Sequence, residues 1–326
     1  MKKIGIICYP GFELKQMIDS VKFHGCEYKV IDFFSPHWLE QCSNDIDGYI
    51  VRPPCMYSEH KDIFDERLYI LSNELQKIIY PSFKELYIYE NKRLMHLYLK
   101  TKNLPHAETK IYLDKKSLIS EEHKFPLVIK SNIGAGGSCV EIVNSIKKLK
   151  LIARRTFGIH PDFAFGKIPF IKYKNIPIPR FGRAQKHYLI TQKYLDIKVE
   201  WRMIRIGDYF MGHQKLLGEN GFASGSELVG WEKPSDELLS LVHESTNKLG
   251  VDCMVLDIFE TNNGEFYINE LQSIIGAYRP YQMKVSDLPG RYIFSGGTFN
   301  FEEGEHCHNS LWNLRVERLL TNLGKK

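Results

Sequence analysis

The dipeptide Asn263-Gly264 constrains this chain more than any other short segment. It separates two runs of strand character, Met254–Glu260 and Glu265–Glu270. Asn-Gly favours the two-residue type I′ turn of a β-hairpin. That turn sets the register and places Asp257 directly opposite Glu270. Opposed side chains have Cβ atoms ~4.5–5.5 Å apart, so two like charges repel. Val255, Phe259 and Ile268, read as neighbours on the same face, are apolar, and water screens the pair poorly. A divalent cation resolves the conflict, because magnesium takes one or two carboxylates alongside substrate phosphates. Gln272, two residues beyond Glu270, adds an amide oxygen on that face. The plainer alternative is a solvated carboxylate pair, and a register shift of one residue would separate the two groups.

The remaining pattern places this hairpin at the far end of a mixed α/β chain. Lys3–Cys8 reads as a buried strand, and Phe12–Phe23 as a helix with Leu14, Met17, Ile18 and Val21 on one face and Gly25 at its C-cap. Tyr28–Phe34 and Gly48–Val51 are further strands, with a short helix opened by Ser35-Pro36 between them. This alternation predicts a parallel α/β layer over residues 1–90. A central lobe, 91–190, begins with an Asn91-capped helix. It continues through strands at Thr109–Leu113, Phe125–Lys130 and Cys139–Val143, and holds a Pro- and Phe-rich insertion at 158–186. A C-terminal lobe, 191–326, contains strands at Val199–Ile206, Met254–Glu260 and Glu265–Glu270, a Gly250-ended helix at Glu237–Leu249, and a terminal amphipathic helix at Leu311–Leu320. Tyr188–Gln192 supplies a strand at the lobe boundary.

Composition narrows the class. The chain has 326 residues, 43% hydrophobic and 25% charged, which suits two or three globular lobes. Its net charge, 44 − 39 = +5, is too mild for a dedicated nucleic-acid binder but suits anionic small substrates. The seven cysteines are scattered without a CxxC pair, which points to a reducing compartment. The N-terminal apolar run is too short for a signal-peptide core, and no segment reaches the ~18 apolar residues of a membrane span. The expectation is a soluble cytoplasmic protein.

Two further segments carry chemistry. Gly134-Ala135-Gly136-Gly137-Ser138 joins two strands, with Lys130 at the end of the first. It is neither a Walker A loop nor a dinucleotide fingerprint, since no Gly-Lys-Ser/Thr and no helix follow. Its amides suit a hairpin flap over a triphosphate, with Lys130 as a fixed cation; the alternative is a plain flexible hairpin. Gln192-Lys193-Tyr194-Leu195 then ends a strand where backbone groups could read an adenine edge, and Glu200 could take ribose hydroxyls.

In this order the motifs resemble the ATP-grasp superfamily from about residue 86 to 280. Asn91-Lys92 resembles the opening of its central lobe, and Pro126–Lys130 with Gly134–Ser138 its second lysine and flap. Gln192–Leu195 resembles the adenine hinge, Val199–Ile206 with Tyr209–Lys215 the basic strand pair, and Asp257 with Glu270-Leu271-Gln272 the metal-binding group. The resemblance implies Lys92 and Lys130 on ATP phosphates, Asp257, Glu270 and Gln272 on one or two magnesium (or manganese) ions, Arg202 and Lys215 facing the transferred phosphate, and Arg279 on substrate. Gln272 stands where the usual pattern has asparagine, and Lys215 where related ligases often have arginine. The implied reaction joins a carboxylate to an amine through an acyl phosphate; a kinase or a nucleotide-binding module without turnover are the alternatives. The expected partners are small-molecule carboxylate and amine substrates, not nucleic acid or membrane, and self-association is left open. His306-Cys307-His308 supplies no complete tetrahedral zinc set.

Overall fold

The computed structural model describes residues 1–55, 57–133, 140–158, 186–216, 218 and 228–325. The N-terminal layer contains β1 (Lys3–Cys8), α1 (Leu14–Phe23), β2 (Glu27–Ile31), the one-turn α2 (Trp38–Gln41), β3 (Gly48–Arg52), α3 (Ser58–Tyr69) and β4 (Ile79–Tyr80). Its four strands form a parallel sheet in the order β2-β1-β3-β4. β1 and β3 are near-continuous apolar runs, as strands buried on both faces require. Gly5 lets the Tyr49 ring lie across β1, since a Cβ there would fall 2.2 Å from it. Helix α3 buries His60, Lys61 and Asp65 among its apolar residues, so no clean apolar stripe announces it in the sequence.

The central lobe follows with α4 (Phe83–Ile88), α5 (Lys92–Thr101), β5 (Thr109–Tyr112), α6 (Lys115–Ser120), β6 (Leu127–Lys130), β7 (Val140–Val143), α7 (Ile146–Phe157) and β8 (Leu189–Lys193). Asn91 caps α5 as expected, its Oδ1 accepting the Leu94 N–H at 3.3 Å. The sheet runs β5-β8-β6-β7, antiparallel throughout. β6 and β7 pair with Lys130 opposite Val140, so the glycine-rich segment is the connection of a hairpin. Gly134, Gly136, Gly137 and Ser138 themselves lie outside the described residues, as does nearly all of the 158–186 segment.

The third sheet contains β9 (Ile197–Ile206), β10 (Tyr209–Lys215), β11 (Val229–Gly230), β12 (Cys253–Thr261), β13 (Phe266–Gln272), β14 (Lys284–Val285), β15 (Leu288–Ser295) and β16 (Thr298–Glu303), with helices α8 (Asp236–Leu249) and α9 (Trp312–Gly324). Its order is β13-β12-β9-β10-β15-β14, with β11 on β10 and β16 on β15. The expected helix before Gly250 is α8, capped by Ser235 and ended by Gly250 at φ 64°. β14 to β16 add strands that no sequence signal had indicated.

The terminal helix does not stay with the lobe that precedes it. α9 packs on β3, where Gly48 sits against Leu319 and Leu323. Glu13, beside α1, accepts hydrogen bonds from Ser310 Oγ (2.8 Å) and Trp312 Nε1 (3.0 Å). β8 runs across residue 191 within the central sheet, and the apolar face of α9 completes the N-terminal layer. Among the described residues no helix is long and apolar enough to cross a membrane.

Candidate functional site

The carboxylates meet as the hairpin register implied, but by a different route. The turn is a three-residue loop rather than a two-residue type I′ turn. Thr261 N–H donates to the Glu265 carbonyl (3.0 Å) and Gly264 N–H to the Thr261 carbonyl (3.0 Å), with Gly264 at φ 79°. Near the loop this shifts the pairing by one residue, so Ile258 faces Ile268. A β-bulge at Asn269 then restores the shift, and Asp257 faces Glu270. The two irregularities cancel at the carboxylates. Ile268, expected on the face of Asp257, instead pairs with Ile258 in the core, at 1% exposure.

One face of the third sheet gathers the charged residues. Glu270, Asp257, Arg202 and His213 stand opposite one another in turn across β13, β12, β9 and β10, with Lys215 opposite Glu200 in the adjacent rung. Arg202 grips Asp257 with two parallel hydrogen bonds, Nε to Oδ1 at 2.9 Å and Nη2 to Oδ2 at 2.8 Å. Lys215 Nζ lies 3.0 Å from Asp257 Oδ2 and 3.1 Å from Glu200 Oε2. The central lobe supplies two more cations. Lys92, in the first turn of α5, reaches Glu270 Oε1 at 3.0 Å, and Lys130, the last residue of β6, donates to Asn269 Oδ1 at 2.7 Å. Asn132 holds these elements together, its carbonyl accepting from the Lys92 N–H (3.3 Å) and its Oδ1 from the Arg93 N–H (3.0 Å).

Protein cations stand against both carboxylates of the Asp257–Glu270 pair, Arg202 and Lys215 on the first and Lys92 on the second. Burial would raise the Asp257 carboxyl, but Arg202 and Lys215 hold it well below the usual carboxylate range. Glu270 is likewise lowered against its burial by Lys92. Glu200 is pushed up by burial and by Asp257. Lys215 is raised against its burial by Asp257 and Glu200. Burial brings the Lys130 ammonium down to about 8, the neighbouring Lys92 and Lys215 adding to the effect while Glu270 and Glu200 oppose it. Lys92, Lys130, Arg202 and Lys215 thus stand among Glu200, Asp257 and Glu270, one positive charge in excess when all are ionised.

Other expected residues lie at the edges of this cluster. Gln192 is buried, its Nε2 donating to Thr109 Oγ1 at 3.1 Å. The Lys193 N–H is taken by the Glu108 carbonyl at 2.8 Å. Gln272 follows Glu270 on β13, opposite Val255. Arg279 is exposed and lies outside the cluster, over the Trp231 ring. Among the described residues no group of three or more His, Cys, Asp and Glu could hold a metal alone, His306-Cys307-His308 included.

Asn269 was not expected from the sequence. It bridges Lys130 and Glu200, its Nδ2 donating to Glu200 Oε1 at 3.2 Å. Its signal was present: Asn269-Glu270 places two polar residues in succession where a strand alternates, the mark of a bulge. Asn269→Leu is expected to remove one acceptor from a buried ammonium and to lower stability by ~1–2 kcal/mol, readable as a lower unfolding midpoint in urea. An unchanged midpoint would show that Asn269 is a spectator.

No protein-family model matches the chain, and no curated protein matches it in sequence. Solved structures do match in fold. The N5-carboxyaminoimidazole ribonucleotide synthetase from Thermotoga maritima is 18% identical over 98% of this chain and 76% of its own, with a TM-score of 0.59. The D-alanine–D-alanine ligase from Bacillus anthracis is 13% identical over 100% of this chain and 99% of its own, at 0.58. The N5-carboxyaminoimidazole synthetase from Staphylococcus aureus, solved with ADP, is 14% identical over 90% and 82%, at 0.59.

Proposed function

This chain has the ATP-grasp fold, and on that premise we propose that it is an ATP-dependent ligase that joins a carboxylate to an amine. The observation that carries the reading is the interlocked cluster of Lys92, Lys130, Arg202 and Lys215 around Asp257, Glu270 and Glu200, assembled from two lobes on one sheet face. A cation-rich, water-poor site of this kind suits a triphosphate, whose reaction asks for positioning and charge neutralisation. The match in fold to a synthetase solved with ADP supports the same nucleotide.

The oxygen donors fit magnesium that arrives with the nucleotide. Two carboxylates and the Gln272 amide meet its needs when phosphate oxygens complete the shell. Bound there, the ion would offset the Asp257 and Glu270 charge in place of Arg202, Lys215 and Lys92, leaving those side chains to grip phosphoryl oxygens. Lys92 and Lys130 then bind the nucleotide phosphates, while Arg202 and Lys215 steady the transferred group. A substrate carboxylate oxygen attacks the γ-phosphorus, the bond to ADP breaks, and an acyl phosphate forms. The amine attacks the acyl carbon, phosphate leaves, and the nitrogen loses a proton. The hinge at Tyr194 and Leu195 and the flap carrying Gly134, Gly136, Gly137 and Ser138 complete the nucleotide pocket in this reading. A cytoplasmic location is supported by the free thiols of Cys8, Cys26, Cys42, Cys253 and Cys307.

A ligase leaves an electrophile that amines attack, whereas a kinase leaves a stable ester. In a screen of carboxylates with ATP, magnesium and hydroxylamine, a competent carboxylate should yield a hydroxamate together with free phosphate. A phosphate ester without hydroxamate would establish the kinase alternative, and no nucleotide hydrolysis with any carboxylate would favour a module without turnover.

A further inference from the structure

Arg205 is a buried charge that the ligase reading does not use. It follows Arg202 by three residues on β9, and odd spacing along a regular strand puts the two side chains on opposite faces. Arg202 joins the carboxylate cluster, whereas Arg205 lies against the last turns of α8 and is 8% exposed. Its hydrogen-bond partners are all neutral. Nε donates to the Gly207 carbonyl (2.9 Å), and Nη1 to Thr246 Oγ1 (2.6 Å), Asn247 Oδ1 (2.7 Å) and the His243 carbonyl (3.5 Å). Among the described residues no carboxylate comes within ion-pair distance of it, and Nη2 donates to none of their atoms. A buried charge without a counter-charge is costly. Burial accordingly lowers the pKa of this guanidinium, against the more distant pull of Asp252 and Asp208.

A cleft of about 390 Å³ opens beside Arg205, walled by β4, α4, the turn from α8 into β12, and α9. That volume falls at the small end of ligand sites. The two carboxylates in its wall, Glu85 and Asp252, are both engaged elsewhere. Asp252 Oδ2 accepts from Arg318 Nε (2.8 Å) and Nη2 (2.6 Å), and its Oδ1 from the Tyr80 hydroxyl (3.2 Å). Glu85 Oε1 accepts from the Asp252 and Cys253 N–H groups (2.7 and 2.6 Å), and its Oε2 from the Ser82 N–H (2.6 Å). Neither is left to pair with Arg205. Asn322 of α9 also lines the cleft, and its side chain makes no hydrogen bond among the described residues. The cleft therefore offers two uncommitted donors, the Arg205 Nη2 and the Asn322 amide.

A guanidinium edge with an amide beside it suits the oxygens of a carboxylate or a phosphate. We propose that this cleft is a second ligand site, taking the carboxylate or phosphoryl group of a small metabolite on Arg205, with Asn322 beside it. The site is separate from the nucleotide cluster, which occupies the opposite face of the same sheet. Its occupant supplies the counter-charge that the chain does not. Lying between α4, the turn into β12 and α9, it also ties the N-terminal layer to β9 and β12, the strands that carry Arg202 and Asp257.

Inorganic phosphate and succinate test this, each titrated into the full chain at constant ionic strength. The readout is the backbone amide NMR signals of Asp252 and Cys253, which stand at the cleft wall on the Glu85 carboxylate. Phosphate bound on the far face of the sheet is thereby read apart. One probe or both should shift these signals saturably, with a dissociation constant of at most about 1 mM, and the tighter identifies the anion. Arg205→Gln should weaken binding about tenfold or more, the loss of a hydrogen bond from a charged group. Asn322→Glu, which brings a carboxylate into the cleft, should weaken it as much, and it decides the matter if Arg205→Gln fails to fold. Lys130→Met, on the other face, should keep the parental affinity within about twofold. No saturable shift with either probe, parental affinity in either cleft variant, or an equal loss in Lys130→Met overturns the inference.

Discussion

Asp257→Asn is expected to abolish magnesium-dependent ATP turnover and to destabilise the protein by ~3 kcal/mol. The carboxylate is 1% exposed and accepts two hydrogen bonds from Arg202 and one from Lys215. An amide of the same shape keeps the volume but removes the charge that both cations face. Breaking a buried ion pair from one side costs ~3–5 kcal/mol, because the surviving charge stays desolvated. The lower end applies here, since Arg202 keeps 23% side-chain exposure and Lys215 retains Glu200. The melting temperature should fall by roughly 4–5 °C. The sign with pH follows from the depressed carboxyl. Its stabilisation is complete above the ordinary carboxylate range and is lost as pH falls through the folded value. Variant and parent should therefore converge in stability on acidification. Adding Arg202→Met to Asp257→Asn should recover part of the melting temperature but no turnover. Parental melting and full turnover of Asp257→Asn at limiting magnesium would remove Asp257 from the site.

Lys130→Met is expected to weaken ATP binding by ~1.5–3 kcal/mol, the worth of a hydrogen bond to a charged group. Its loss in turnover should be larger if the ammonium also meets charge developing in the transition state. The pH dependence separates a phosphate ligand from a structural lysine. In the nucleotide-free protein burial sets this ammonium near 8, so it loses its proton in a range where a solvated lysine is still charged. A bound phosphate favours the charged form. ATP affinity should be level below pH 8 and fall above it, and binding near pH 8.5 should take up protons, measurable by calorimetry in two buffers. Stability runs the other way: between about 8 and the ordinary lysine value the unfolded chain binds the extra proton, so the free protein gains stability as pH rises. Both trends should vanish in Lys130→Met. A variant with parental affinity and parental pH profile would place Lys130 outside the nucleotide site.

Much of this architecture was written in short-range pattern. The apolar runs of β1 and β3, the Asn91 and Ser235 neighbourhoods that cap helices, and Gly250 at the end of α8 are local devices. Their physics involves only neighbours in the chain, so they read directly as parallel layer, central lobe and hairpin. The facing of Asp257 and Glu270 was also legible, although by way of a turn type that is not the one formed. Its survival is instructive. A one-residue excess in the loop would have sent Glu270 to the other face, and the bulge at Asn269 absorbs it, because the buried pairs Ile258–Ile268 and Leu256–Leu271 lie two residues apart on β12 but three apart on β13.

Other features depend on distant segments and were decided in three dimensions. Which cation neutralises which carboxylate rests on how α5 and β6 are docked against β13, and on Arg202 and Lys215 facing Asp257 across neighbouring strands. The return of α9 to the N-terminal sheet has the same character: its apolar stripe is plain in the sequence, but not the surface it covers. Trp231 beside His213 joins residues that are not neighbours in the chain, and only strand pairing reveals it. Pattern along the chain determines which face of an element is apolar and where charge can be placed. Packing between elements determines which charges meet, because the cost of burying a charge is relieved by whatever partner tertiary contact brings within reach.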